Sequence, residues 1–81
     1  MGVKQIPLNK FIAWIESLGL QYERTKASHE LYNYPKRHPK RLTRSVTVRT
    51  KYKDIPILHI HTNLQTLGIS KSEFEERIKN F

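Results

Sequence analysis

Cysteine is absent from this 81-residue chain, which excludes a disulfide framework and any thiolate metal site. That composition fits a reducing cytoplasm. Long apolar runs are missing too. Nothing approaches the roughly 20 apolar residues of a membrane span, and Met1 to Pro7 holds no stretch suited to a signal peptide. The expectation is one soluble cytoplasmic domain over residues 1–81, near the small end of what folds on an apolar core alone. Acid is scarce in one place. Between Glu30 and Asp54 lie Lys36, Arg37, Lys40, Arg41, Arg44, Arg49, Lys51 and Lys53, with no carboxylate among them. Those eight account for the formal net charge of +8, the other seven basic residues being matched by seven acids. A segregated excess of this kind points to an anionic partner, where a dispersed one serves solubility.

What is present reads as helix, three strands, helix, helix. Leu8, Phe11, Ile12, Ile15 and Leu18 recur at three- and four-residue spacing, the stripe of a helix packed on one face. Pro7 suits its start and Gly19 its left-handed end. Trp14 lies off the centre of the stripe and is read as rim packing. Leu20 to Thr25 reads as a strand with Leu20 and Tyr22 alternating against Gln21 and Glu23. Lys26-Ala27 makes a tight connection to a second strand, Ser28 to Tyr34, which Pro35 stops. Lys36 to Arg44 is a basic loop. Ser45 to Thr50 alternates as a third strand, Val46 and Val48 inward, Thr47 and Arg49 outward.

A second helix is expected from about Asp54 and Ile55, with Pro56 in its first turn. Ile57, Ile60, Leu64 and Leu67 form its apolar face, with His61 beside that face and His59 away from it. Ser70 with Glu73 matches a capping box starting a short third helix that carries Phe74, Ile78 and Phe81 on one side. Two helices on one face of a small antiparallel sheet make an α+β sandwich.

The residue pair that carries chemistry is Ser28-His29 at the start of the second strand. A histidine has a free pKa of about 6.5 and moves protons at neutral pH. RNA supplies its own nucleophile, the 2′-hydroxyl beside the scissile phosphate. Cleavage then needs a base, an acid and positive charge on the phosphoryl group. His29 serves as base or acid, Arg24 and Lys26 are close enough in sequence to stabilise charge, and Ser28 bonds phosphate or fixes the imidazole tautomer. The competing reading is a strand-edge histidine bonded to backbone. Strict alternation puts His29 on the side of Leu31, while Tyr32 and Tyr34 form the other side, and either side is a candidate for burial. His38 reads as a loop residue. His59 and His61, two apart on a helix, do not share a face and make no metal pair. No metal and no cofactor is expected.

The proline-led first helix, Leu18-Gly19-Leu20, Lys26-Ala27-Ser28-His29, the Ser45-Val46-Thr47-Val48 strand, and Leu67-Gly68-Ile69-Ser70 followed by Glu73-Phe74 occur in an order that resembles the HicA (YcfA-like) mRNA interferase toxins over nearly the whole chain. The resemblance implies a fold like a double-stranded-RNA-binding domain (dsRBD). It also implies metal-free cleavage of mRNA and neutralisation by an antitoxin of the HicB type. The catalytic histidine of the family's Gly-Ser-His turn carries over onto His29, with Ser28 and Lys26 supporting it. Ala27 stands where the family usually has glycine. Thr47-Val48-Arg49 stands where it often has a Pro-x-His element. Arg24, Lys36, Arg37, Lys40, Arg41, Arg44 and Arg49 are the expected RNA contacts. The alternatives are a non-catalytic RNA-binding module of dsRBD-like fold and a protein-binding domain whose basic face meets an acidic partner.

Overall fold

The dipeptide Ile-Pro occurs twice in residues 6–81, the part of the chain that the computed structural model describes, and it does the same work each time. The reading of Met1 to Pro7 as lacking a leader falls mainly on residues 1–5 and lies outside the described residues. A residue before proline is pushed into extended backbone, and the proline itself suits the start of a helix. Accordingly Ile6–Pro7 forms a short strand β1, and Pro7 (φ −56°, ψ 140°) caps helix α1, Leu8–Ser17. Later in the chain Asp54–Ile55 forms a short strand, here β5, and Pro56 (φ −61°, ψ 141°) caps helix α2, Ile57–Leu67. The two strands pair antiparallel, Ile6 opposite Ile55, and the Leu8 amide donates to the Lys53 carbonyl at 2.9 Å.

This corrects the expected start of α2. Asp54 and Ile55 belong to a ladder, and the helix begins three residues later than Asp54. Ile57 is consequently on the open first turn, 46% exposed, and does not join Ile60 and Leu64 in the core.

Between these clasped helix starts lies a three-stranded antiparallel sheet in the order β2-β3-β4: β2 Gln21–Lys26, β3 His29–Asn33, β4 Val46–Arg49. The chain as described is thus a small α+β domain with three helices, a three-stranded sheet and a two-stranded one. Helix α3, Lys71–Ile78, starts as the capping pattern requires, with the Glu73 amide donating to Ser70 Oγ at 3.2 Å. It ends before Phe81, which is left 43% exposed and off the helix face to which the periodicity assigned it.

α3 packs against α1. That contact widens the buried stripe of α1 and takes in Trp14, which is 1% exposed and part of the core, contrary to the rim position read from the stripe. Its ring meets Phe74 edge-on at 4.7 Å between centroids and Phe11 at 5.6 Å. Truncating such a buried aromatic typically costs about 3–5 kcal/mol.

The sheet contributes Tyr32, Val46 and Val48 to the same core, and Leu20 leads into it. Of the two sides open for His29, Tyr32 and Tyr34 take the buried one. Tyr32 is buried beside Glu30, and both influences push its phenol up to about 12.

Candidate functional site

His29 opens β3, the central strand, so it has a cross-strand neighbour on each side: Lys26 on β2 and Arg49 on β4. Residues directly opposite in an antiparallel ladder project to the same face. Lys26, His29 and Arg49 therefore form one row across the sheet, on the face opposite Tyr32, Val46 and Val48. The next row on that face is Arg24, Leu31 and Thr47.

Two local features build this row. The first is the two-residue turn Ala27-Ser28, in which Ala27 has φ +57°. A positive φ at the first central residue alone is the pattern of a type II′ hairpin, where glycine is preferred. The chain tolerates alanine there, at a cost on the order of 1 kcal/mol. Ser28 lies exposed in the turn, next to the row but outside the strand.

The second feature is a β-bulge. Tyr22 pairs with Tyr32 and Arg24 with Leu31, so Glu23 has no partner in the ladder. Strict alternation would put Leu20, Tyr22, Arg24 and Lys26 on one side. The extra residue reverses the order after Tyr22 and turns Arg24 and Lys26 onto the His29 face.

The outer edge of β4 is closed by a side chain. Asn63 of α2 accepts from the Thr47 amide at 3.2 Å and donates to the Thr47 carbonyl at 3.0 Å, standing in for a neighbouring strand. Thr47 therefore turns both backbone groups away from β3. By the alternation of antiparallel ladders, Arg49 opposite His29 is also a non-hydrogen-bonded pair, the kind with the closer side chains.

The same clamp sets α2 along the sheet and creates a cleft of about 170 Å³ lined by His29, Thr47, Arg49, His59, Thr62 and Asn63. His59 thus faces the sheet, where the helical pattern placed it away from the packed face. Burial, the Arg49 charge and the His29 charge hold its pKa below the ordinary imidazole value. The edge of Tyr52 meets the His59 ring at 5.9 Å, and Lys51 Nζ stands 5.3 Å from the Tyr52 ring centre. His61 is exposed on the opposite side of the turn.

The basic loop is organised differently. Buried Asn33 holds it by donating to the Leu42 carbonyl (3.1 Å) and Ser45 Oγ (3.3 Å) and accepting from the Leu42 amide (3.0 Å). Arg41 ion-pairs with Glu23, the unpaired residue of the bulge, and donates to the Tyr34 carbonyl at 2.7 Å. Arg41 and Ser45 hold the Glu23 carboxyl below its ordinary pKa. Sequence distance hid this partner, since Glu23 precedes the acid-free stretch. His38 stacks on Tyr34 at 4.5 Å and accepts from the Lys40 amide, a structural role.

Lys36, Arg37, Lys40 and Arg44 are exposed and take no part in the ion pairs of the described residues. Arg44 borders a second, larger cleft of about 520 Å³ between the loop and α2, and Thr62 lines both clefts. The structure brings together His29, Lys26 and Arg49, with Arg24 in the adjacent row, and leads from them by way of Thr62 to Arg44. It does not bring Lys36, Arg37 or Lys40 into either cleft.

Among the described residues, no three His, Asp or Glu side chains are grouped to hold a metal ion, and no helix is long and apolar enough to cross a membrane. No protein-family model, curated protein or solved structure matches the chain.

Proposed function

We propose that the protein is a metal-independent endoribonuclease acting on mRNA in the cytoplasm, a toxin of the HicA type on a dsRBD-like fold. One observation carries this reading: His29 sits between Lys26 and Arg49 on an open sheet face, with a proton-transfer group flanked by two cations. The row fits a phosphodiester, the cations holding the non-bridging oxygens while the imidazole moves a proton. Arg24 extends the positive face. The Arg44 cleft offers a continuation for the strand beyond the scissile bond. An antitoxin of the HicB type would neutralise the enzyme by covering His29, and the uncompensated charge around it suits an acidic partner.

A non-catalytic RNA-binding module is the second reading. The Arg44 cleft favours it, since its Thr62, Gln65 and Thr66 lining binds a phosphate chain without any chemistry. Incubation of purified protein with RNA in EDTA separates the two. Wild type is expected to cleave and leave a 2′,3′-cyclic phosphate or the 3′-phosphate from its opening. Folded His29→Ala should lose on the order of 10²- to 10⁴-fold in rate. Cleavage by His29→Ala at the wild-type rate would remove His29 from the chemistry, and binding without cleavage by wild type would leave the binding module.

A further inference from the structure

Resting on the ribonuclease reading, we infer that His59 is the second proton-transfer group of the same site, the base that activates the 2′-hydroxyl, with His29 the acid for the leaving oxygen. The cleft lining narrows the choice. The Asn63 amide is occupied at both ends by Thr47, and the Thr62 hydroxyl donates to the Leu58 carbonyl at 3.0 Å. Two imidazoles, one guanidinium and the Thr47 hydroxyl remain to act on a ligand, and of these only the imidazoles exchange protons readily near neutral pH. The only imidazole nitrogen with a hydrogen bond among the described residues is that of His38, so the rings of His29 and His59 are not committed to holding the fold.

The two rings reach the same cleft from different elements, an arrangement suited to an in-line displacement, in which attacking and leaving oxygens sit on opposite sides of phosphorus. His29 comes from the sheet and His59 from α2, with Arg49 at the same cleft to hold the phosphate. Four groups bear on the His59 proton: Arg49 from β4, His29 from β3, Tyr52 from the connection before β5, and Lys51 behind Tyr52. Burial and these cations favour a neutral ring, the form a base needs.

The step balances without a co-reactant. The 2′-oxygen forms a bond to phosphorus and its proton passes to His59. The bond from phosphorus to the 5′-oxygen breaks, and that oxygen takes a proton from His29. The products are a 2′,3′-cyclic phosphate and a 5′-hydroxyl. Exchange with solvent resets both rings.

A leaving-group experiment tests the assignment. Wild type, His59→Gln, His59→Ala and His29→Gln would be assayed on a short oligoribonucleotide and on a uridine 3′-(4-nitrophenyl phosphate) ester, whose leaving group needs no acid. Circular dichroism would establish that each variant is folded, and His61→Gln, on the exposed side of α2, should behave as wild type. Both His59 variants should lose about 10²-fold or more in kcat/KM on both substrates, together with the acid-side limb of the pH profile. His29→Gln should lose activity on RNA, recover it on the nitrophenyl ester and lack the alkaline limb.

A folded His59→Gln with the wild-type rate and profile would overturn the inference and leave the ribonuclease standing. Recovery of His59→Gln on the nitrophenyl ester would equally overturn its role as base. A wild type that cleaves no RNA would remove both.

Discussion

Two regions of the molecule carry its positive charge, and the same device holds both. At the β4 edge the buried amide of Asn63 grips the amide and carbonyl of Thr47, and in the basic loop the buried amide of Asn33 grips those of Leu42. What they leave available differs. Beside Asn63, Arg49 and Lys26 flank His29 and take no part in the ion pairs of the described residues. Beside Asn33, Arg41 is bound to Glu23 and to the Tyr34 carbonyl and serves the loop's own shape. A count of cations in the sequence treats the two regions alike, whereas the fold leaves one set outside the ion pairs of the described residues and commits part of the other to the loop itself.

The strongest way to break this comparison is to remove the clamps. Asn63→Leu and Asn33→Leu each leave a part-buried N–H and C=O without a partner, and Asn33→Leu also strips the buried Tyr34 amide of its acceptor, against a cost of about 1–3 kcal/mol for each fully buried group. Each variant should lose about 2–4 kcal/mol of unfolding free energy in urea. Under conditions where both remain folded, Asn63→Leu should also lose RNA cleavage while Asn33→Leu retains it. Equal loss of cleavage in both would mean that the loop is part of the active centre.

Next in size is the contrast between Arg44 and Arg41. Arg44→Ala should weaken binding to all RNAs alike and flatten the log–log salt dependence by about 0.7 for a single strand. Arg41→Ala should lower stability while leaving that slope near its wild-type value. A flattened slope for Arg41 and an unchanged one for Arg44 would reverse the assignment.

A smaller effect comes from the turn that sets the histidine row. Ala27→Gly relieves the positive φ, and the gain is partly offset by glycine's greater freedom in the unfolded chain. The expected outcome is a stability increase of at most about 1 kcal/mol, read as a higher urea midpoint. A decrease would show that the alanine methyl contributes packing at the turn.

The smallest effect is on pH. His59 and Glu23 both have folded pKa values lowered from 6.5 and 4.5. For each, the unfolded chain binds the proton first. Stability is therefore fully present above pH 6.5, falls as pH drops through the folded His59 value, and falls again below pH 4.5 as Glu23 follows. His59→Gln should remove the upper part of that loss and leave the lower. An unchanged upper part would assign it to another group.

Much of this was legible in the sequence where periodicity is local. α1 stops just before the left-handed Gly19, β4 alternates Val46 and Val48 against Thr47 and Arg49, and α3 is capped by Ser70, because each pattern is set by contacts within a few residues. His29 at the hairpin start was equally readable, though its neighbours Lys26 and Arg49 became a row only through strand register. What was not legible depends on a second element. Trp14 is core because α3 crosses α1. Asp54-Ile55 is strand because Ile6-Pro7 pairs with it, although the extended preference of Ile55 before Pro56 was a usable signal. His59 turns inward because Asn63, four residues on and so on the same helix side, is drawn to Thr47. An asparagine within the apolar stripe of α2 was the clue to that edge contact.

The unpaired Glu23 has a meaning beyond its bond to Arg41. Side-chain direction along a strand is a matter of odd and even positions, and one added residue changes the parity of everything after it. Arg24 and Lys26 owe their place beside His29 to that change of parity. Deleting Glu23 would join Tyr22 to Arg24 in a regular ladder and leave both cations beside His29, at the loss of the carboxylate that Arg41 holds. Keeping Glu23 in a strand without the bulge would instead turn both inward.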